Sequence, residues 1–240
     1  MSLQSAFSFV LDFLGKKPVV LEVAQAQLSS DAGLLPMRQF DEQIRFTKPF
    51  AEALQETGDP IFTQHSLTSM VRQRIYGILA DYEDQNDHDT LRSDPVFKMV
   101  AGRMPDDQQD LASQPTLSRF ENAVSISDLW KLRDVLVEQF IQSFEVPPTS
   151  LTLDIDAFDD ATHGQQQLTL FHGYYGQHQY LSMAITCAQN DFVLLVGLRH
   201  GTCAASLGAD DDLRFLTGRL RAVCRMCRSM FEETAASACR

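Results

Sequence analysis

Apolar residues repeat with one period in the first part of this chain and with another after about residue 150. Before that point the spacing is helical. Val71, Ile75, Ile78, Leu79 and Tyr82 predict an amphipathic helix over residues 67–82, with Arg72 and Arg74 off its apolar face. A second helical pattern covers residues 37–54. Asp94-Pro95 reads as an N-cap followed by proline at the first helical position, and Gly102 stands where a C-terminal cap belongs. Ser125 and Asp128 have capping-box spacing ahead of a stripe made by Leu129, Leu132, Leu136, Phe140 and Phe144. Pro147-Pro148 ends that helix. Residues 18–23 read as a short strand, Ser29 to Gly33 as a turn, and residues 105–115 as a polar surface loop.

After residue 150 the period is that of a strand. Leu151, Leu153 and Ile155 alternate with Thr152, Asp154 and Asp156. Residues 167–172 and 180–187 read as further strands. Residues 192–198 form a nearly continuous apolar run, as in a buried strand. Leu213, Phe215, Leu216 and Leu220 predict a helix over residues 210–221. The expected class is α+β: a mostly helical N-terminal region, then an α/β domain.

Composition narrows the reading. With 240 residues and 44% hydrophobic content, the chain can bury one sizeable core, or one core and a smaller helical domain. No apolar run approaches the roughly 20 residues that span a bilayer, and the N-terminal lysines follow the apolar stretch instead of preceding it. A cytoplasmic protein without a membrane partner is expected. The net charge of −12 counts against tight autonomous DNA binding, because such domains usually carry a basic surface. Arg72, Arg74, Arg92 and Arg103 lie within one region and are candidates for a local DNA-binding patch. An odd count of five cysteines favours reduced thiols. Cys224 and Cys227 form a CxxC, which alone is half a zinc site or a redox pair.

Asp154 and Asp156 are the main candidates for chemistry. Two residues apart on a strand, they share one face and repel unless a cation or proton lies between them. Two readings stand side by side: a solvated acidic strand end, or carboxylates that hold a hard divalent cation such as Mg²⁺. His163, His172, His178 and His200 read better as hydrogen-bonding residues than as ligands of a hard ion. Tyr174, Tyr175 and Tyr180 can stack on DNA bases, though packing is the plainer role.

The stretch LTLDIDAFDDATHGQQQLTLFHGYYGQHQYL resembles the first catalytic block of the insertion-sequence transposases grouped as transposase DDE domain group 1. Upstream, SSDAGLLPMRQFDEQI, MVRQRIYGILADYEDQNDHDTLRSDPVF and QPTLSRFENAVS resemble that family's earlier blocks, in the same order. The resemblance covers roughly residues 18 to 222. It implies an RNase H-like catalytic domain in which Asp, Asp and Glu hold two Mg²⁺ ions for in-line displacement at phosphorus. It also implies transposon-end DNA as a partner. Asp156 best matches the first Asp and first metal ligand, with Asp154 as runner-up. Phe158 and Ala161 depart from the family pattern, which usually has Thr and often has Pro there.

The family's second Asp belongs to a Gly-Asp-Ser segment after the helix that matches residues 210–221. This chain reads VCRMCRSMFEETAASACR there. Codons built from the third base of one residue and the first two of the next recover the family motif. With suitable synonymous third bases, residues 229–240 conceal His-Val-Arg-Gly-Asp-Ser-Gly-Phe-Gly-Val-Pro. The expectation is therefore an out-of-frame tail at 223–240, beyond a first part of the catalytic domain at 149–222. A mostly helical region at 18–148, a candidate for binding DNA ends, and an N-terminal extension at 1–17 complete the layout. An incomplete RNase H-like domain of this kind is expected to hold Mg²⁺ weakly and to be inactive alone. The alternative expectation is a regulator that binds transposon ends, itself, or full-length transposase.

Overall fold

The computed structural model describes residues 8–13, 15, 17–22, 29–55, 64–145, 148–162, 164 and 166–223. The chain divides into two compact units, residues 1–132 and 133–240.

In the first unit, β1 (Ser8–Leu11) and β2 (Val19–Glu22) form an antiparallel pair, with Leu11 opposite Val19. Helices follow: α1 (Leu34–Ile44), α2 (Thr47–Ala53), α3 (Leu67–Leu79), α4 (His88–Leu91), α5 (Pro95–Val100) and α6 (Gln114–Asn122). The single helix expected over 37–54 is in fact two. Arg45 adopts a left-handed φ of 54°, and its N–H bonds Asp41 O at 2.7 Å. The Asp41 carboxylate then accepts from Thr47 N at 2.8 Å and from Thr47 Oγ1 at 2.5 Å, so it caps the start of α2. The cap before α5 forms as expected, with Asp94 Oδ1 accepting from Val96 N and Phe97 N at 2.7 and 3.0 Å. Gly102 has the left-handed φ of 90° that the end of α5 requires.

The core of this unit gathers Leu34, Leu35, Tyr76, Phe97, Val100 and Leu111. It also buries polar groups in two linked sets. Arg38, only 1% exposed, donates from Nε to Val100 O and lies beside Asp41 and Glu42. Gln73 is locked by a reciprocal pair with the Ala112 backbone, donating to its carbonyl at 2.8 Å and accepting from its N–H at 3.1 Å. His88 is fully buried beside it.

Helix α7 (Ile126–Gln142) begins with the expected capping box. Ser125 Oγ accepts from Asp128 N at 3.2 Å, and Asp128 Oδ2 accepts from Ser125 N at 3.1 Å. The Ser125 hydroxyl, donating to Asp128 Oδ2 at 2.6 Å, then Lys131 at 3.0 Å and the Ser125 N–H, hold the Asp128 carboxyl below its ordinary pKa. The division between the units falls inside α7, ahead of Pro147-Pro148, because Val137 and Phe140 belong to the second core. The apolar stripe is narrower than its sequence suggests: Leu129 is exposed, and Val137 is buried in its place.

The second unit carries a four-stranded antiparallel sheet of β3 (Leu153–Ala161), β4 (Leu170–His172), β5 (Gln177–Cys187) and β6 (Phe192–Gly197). β5 is the hub. It pairs with β3 along its length and with β4 and β6. Met183, Ile185, Cys187, Leu194 and Leu195 meet Val137 and Phe140 of α7 and Leu216 and Leu220 of α8 (Ala209–Val223). Strand β6 is not buried on both faces as its apolar run predicts, since Val193 and Val196 are exposed. A bulge between Ile185 and Thr186 shifts the register, so adjacent Leu194 and Leu195 both reach the core.

Candidate functional site

The pleat of β3 sorts its residues between two faces. Leu153, Ile155, Ala157 and Asp159 stand opposite Cys187, Ile185, Met183 and Leu181, the core side of β5. Asp154, Asp156, Phe158 and Asp160 stand opposite Thr186, Ala184, Ser182 and Tyr180 on the other face. Asp154, Asp156, Phe158 and Asp160 are all exposed.

Asp154 and Asp156 are thus brought together as the period-two pattern implies, about 7 Å apart along the strand. Neither carboxylate has a hydrogen-bond or ion-pair partner among the described residues. Solvent makes this pair tolerable, and four carboxylate oxygens free of protein donors are a donor set that suits a hard divalent cation. Among the described residues, no group of three or more His, Cys, Asp or Glu side chains is arranged to hold a metal.

The register also separates two acids that the sequence lists together. Asp160 shares the face of Asp154 and Asp156, whereas Asp159 faces the other way and accepts from Gln177 Nε2 at 2.8 Å. Continuing the alternation past Asp156 would have drawn that distinction from the sequence.

The four arginines of the supposed basic patch are all engaged within the first unit. Arg72 donates from Nε to Thr47 Oγ1 at 3.1 Å and from Nη2 to Glu42 at 3.2 Å. Arg74 donates to Glu121 at 2.5 Å. Both side chains are largely buried. Arg92 lies 3.7 Å from Asp110, and Arg103 donates to the carbonyls of Gln64, Gln109 and Asp110. Burial and the neighbouring Arg38 lower the Arg72 pKa, while Asp41 and Glu42 oppose that shift.

His172 and His178 lie on β4 and β5, and His200 bridges to Tyr180. Tyr180 donates to Gln167 O at 2.5 Å, a hydrogen bond within the second unit. Tyr174 and Tyr175 occupy the β4–β5 turn. His163, Cys224 and Cys227 lie outside the described residues.

Fold and site define an α+β protein with a helical first unit and an antiparallel sheet that presents paired carboxylates on one strand. The chain belongs to the family described as transposase DDE domain group 1, whose model matches residues 11–235. No curated protein and no solved structure matches it. The family's catalytic domain is RNase H-like, and its members generally use divalent metal. No described helix is long and apolar enough to cross a membrane.

Proposed function

We propose that this chain descends from an enzyme that cleaves and joins transposon-end DNA by Mg²⁺-dependent phosphoryl transfer, with Asp156 as its first metal-binding carboxylate and Asp154 beside it. One observation carries the reading. In a chain matched by the transposase model, the strand that resembles the family's first catalytic block presents two exposed carboxylates on one face, with no partner among the described residues. A bound Mg²⁺ would supply electrostatic stabilisation of charge at phosphorus. Asp156 and Asp154 would hold it through carboxylate oxygens, and the ladder to β5 would fix their orientation.

Mn²⁺ tests this directly. Paramagnetic broadening of backbone signals should centre on β3 and disappear in Asp156→Asn. Broadening that persists in that variant, or that centres elsewhere, would contradict the assignment.

The chain as translated is, on this reading, catalytically silent alone. The support is the displaced Arg-Gly-Asp-Ser reading within residues 229–240, not the length of the chain. The family match runs to residue 235, past Val223, and so gives no sign of a break at 223. The nucleotide sequence around codon 223 decides the matter. A continuous downstream frame encoding Arg-Gly-Asp-Ser supports the reading, and its absence removes it.

A regulator is the second reading, favoured by one feature: the first unit has its own core and polar network. Such a unit would bind element ends or full-length transposase. Sequence-specific, salt-dependent retardation of terminal-repeat DNA by the chain in the absence of metal would support it. No specific retardation at low salt, with no association with full-length enzyme, would exclude it.

A further inference from the structure

His88 is fully buried, yet both of its ring nitrogens face hydrogen-bond donors. Arg74 Nη1 lies 3.1 Å from Nε2, and a guanidinium can only donate. Nε2 therefore accepts, and in the neutral ring the proton sits on Nδ1. Gln73 Nε2 lies 3.4 Å from Nδ1, and it too is a donor. The Gln73 amide is not free to present its oxygen instead. It donates to Ala112 O at 2.8 Å and accepts from Ala112 N at 3.1 Å, which fixes its orientation. The ring has no room to swing away. It packs against Phe97 and lies so close to α3 that a Cβ at Gly77 would be 2.8 Å from its Cε1. A second proton would aim both ring N–H groups at donors in a buried site. The charged groups around the ring pull in both directions. Arg74 on α3 opposes a positive ring, whereas Asp87, just ahead of α4, and Glu121 on α6 favour one. Glu121 is already bound by Arg74 and Gln85.

We propose that His88 and Gln73 form an acid-operated latch: a proton taken up by the ring turns the Gln73 amide over, so that its oxygen accepts from Nδ1 and both of its bonds to Ala112 break. Arg74 withdraws onto Glu121, which it already holds. The chain at Ala112 then parts from α3. That chain is the end of a strap, residues 104–113, which leads from α5 to α6. The earlier part of the strap keeps its own anchors. Lys98 Nζ donates to Asp107 O at 2.7 Å, and Arg103 Nη1 donates to the Gln109 and Asp110 carbonyls. The opening is therefore local, and it uncovers Leu111 and Ala112, both buried in the closed form. Burial and Arg74 hold the His88 pKa down to about 4 while the latch is closed. Once the amide has turned and Arg74 has withdrawn, the pKa returns towards the ordinary 6.5. Opening takes up a proton, so acid favours the open form, by about twenty-fold between pH 7 and pH 5.

Hydrogen exchange of the Ala112 N–H in the full chain tests this. Corrected for the intrinsic rate, its opening constant should rise about twenty-fold from pH 7 to pH 5. The rise should be almost insensitive to added urea, because a local opening exposes little surface. His88→Gln should remove it. An opening constant that is the same at both pH values, or an equal rise in His88→Gln, would overturn the latch. So would a rise that depends on urea as steeply as exchange of the Tyr76 N–H in the core, since acid would then act by unfolding the whole unit. The wild-type chain gives a second reading if the variant does not fold. By NMR, the Gln73 side-chain amide protons and the Ala112 N–H should titrate with one midpoint, that of the His88 ring. Separate midpoints would overturn the proposal.

Discussion

Asp156 stands directly across the β3–β5 ladder from Ala184, and no described side chain reaches its carboxylate. Asp154 keeps the same relation to Thr186. Acids that support a fold are normally bound by donors, as Asp41 is by Thr47 and Tyr76. The exposed pair on β3 adds like-charge repulsion and, among the described residues, no contact that offsets it.

Asp156→Asn should therefore leave stability almost unchanged, within about 0.5 kcal/mol, or raise it slightly. Urea denaturation of the variant and wild type measures this. A loss of several times that size would make Asp156 a structural residue.

Asp41→Ala should be among the most damaging substitutions in the first unit. Asp41 accepts two bonds from Thr47 and one from Tyr76, and lies beside Arg38 and Arg72. Its removal leaves the buried Arg38 and Arg72 to share the partly exposed Glu42 and unmakes the bonds from Thr47 and Tyr76, at a cost of about 3–5 kcal/mol. Tyr76→Phe removes one 3.2 Å bond to the same carboxylate and should cost about 1 kcal/mol. Similar losses in the two variants by chemical denaturation would show that the ion pairs contribute little.

Acid should weaken the fold through His88. Burial, aided by the Arg74 guanidinium 3.1 Å from Nε2, pushes its pKa down to about 4. The ordinary value of 6.5 applies in the unfolded chain, so the unfolded state takes up the proton first. Stability from this group is intact above pH 6.5 and falls as the pH drops from 6.5 towards 4. Between pH 6.5 and 5, before most carboxylates titrate, the loss should be about 2 kcal/mol. His88→Gln should flatten that part of the pH–stability curve. An unchanged slope would assign the acid sensitivity to other groups.

Two helical glycines should respond in opposite ways to alanine. A Cβ at Gly77 would lie 2.8 and 2.9 Å from the buried His88 ring, so Gly77→Ala should destabilise by about 1–3 kcal/mol despite the better helix propensity. A Cβ at Gly218, on the exposed side of α8, meets nothing within 4 Å, and Gly218→Ala should stabilise by up to about 1 kcal/mol. Thermal melts of both variants provide the comparison. The same sign at both positions would contradict the packing described around His88.

Local patterns were legible where one strong signal decided the outcome. The Asp94-Pro95 and Ser125/Asp128 caps form as their spacing implies, and the alternation after residue 150 places Asp154 and Asp156 on one face. Signals failed where a long-range partner intervened. The pattern over 37–54 is continuous, yet Asp41 reaches Thr47 and the chain breaks at Arg45. The apolar run of β6 could not reveal the bulge that buries Leu194 and Leu195 together and leaves Val193 and Val196 outside. Proximity of Arg72, Arg74, Arg92 and Arg103 in sequence said nothing of Glu42, Glu121 and Asp110, which come from other segments. The exposure of Tyr174 likewise depends on the hairpin built by β4 and β5.

End cleavage gives the most direct test of the central claim. A terminal-repeat duplex with Mg²⁺ would be incubated with the 240-residue chain, with the protein made by restoring the Arg-Gly-Asp-Ser frame, and with that protein carrying Asp156→Asn. The account predicts strand cleavage by the restored protein alone. Cleavage by the 240-residue chain, or by the Asp156→Asn protein, would contradict it.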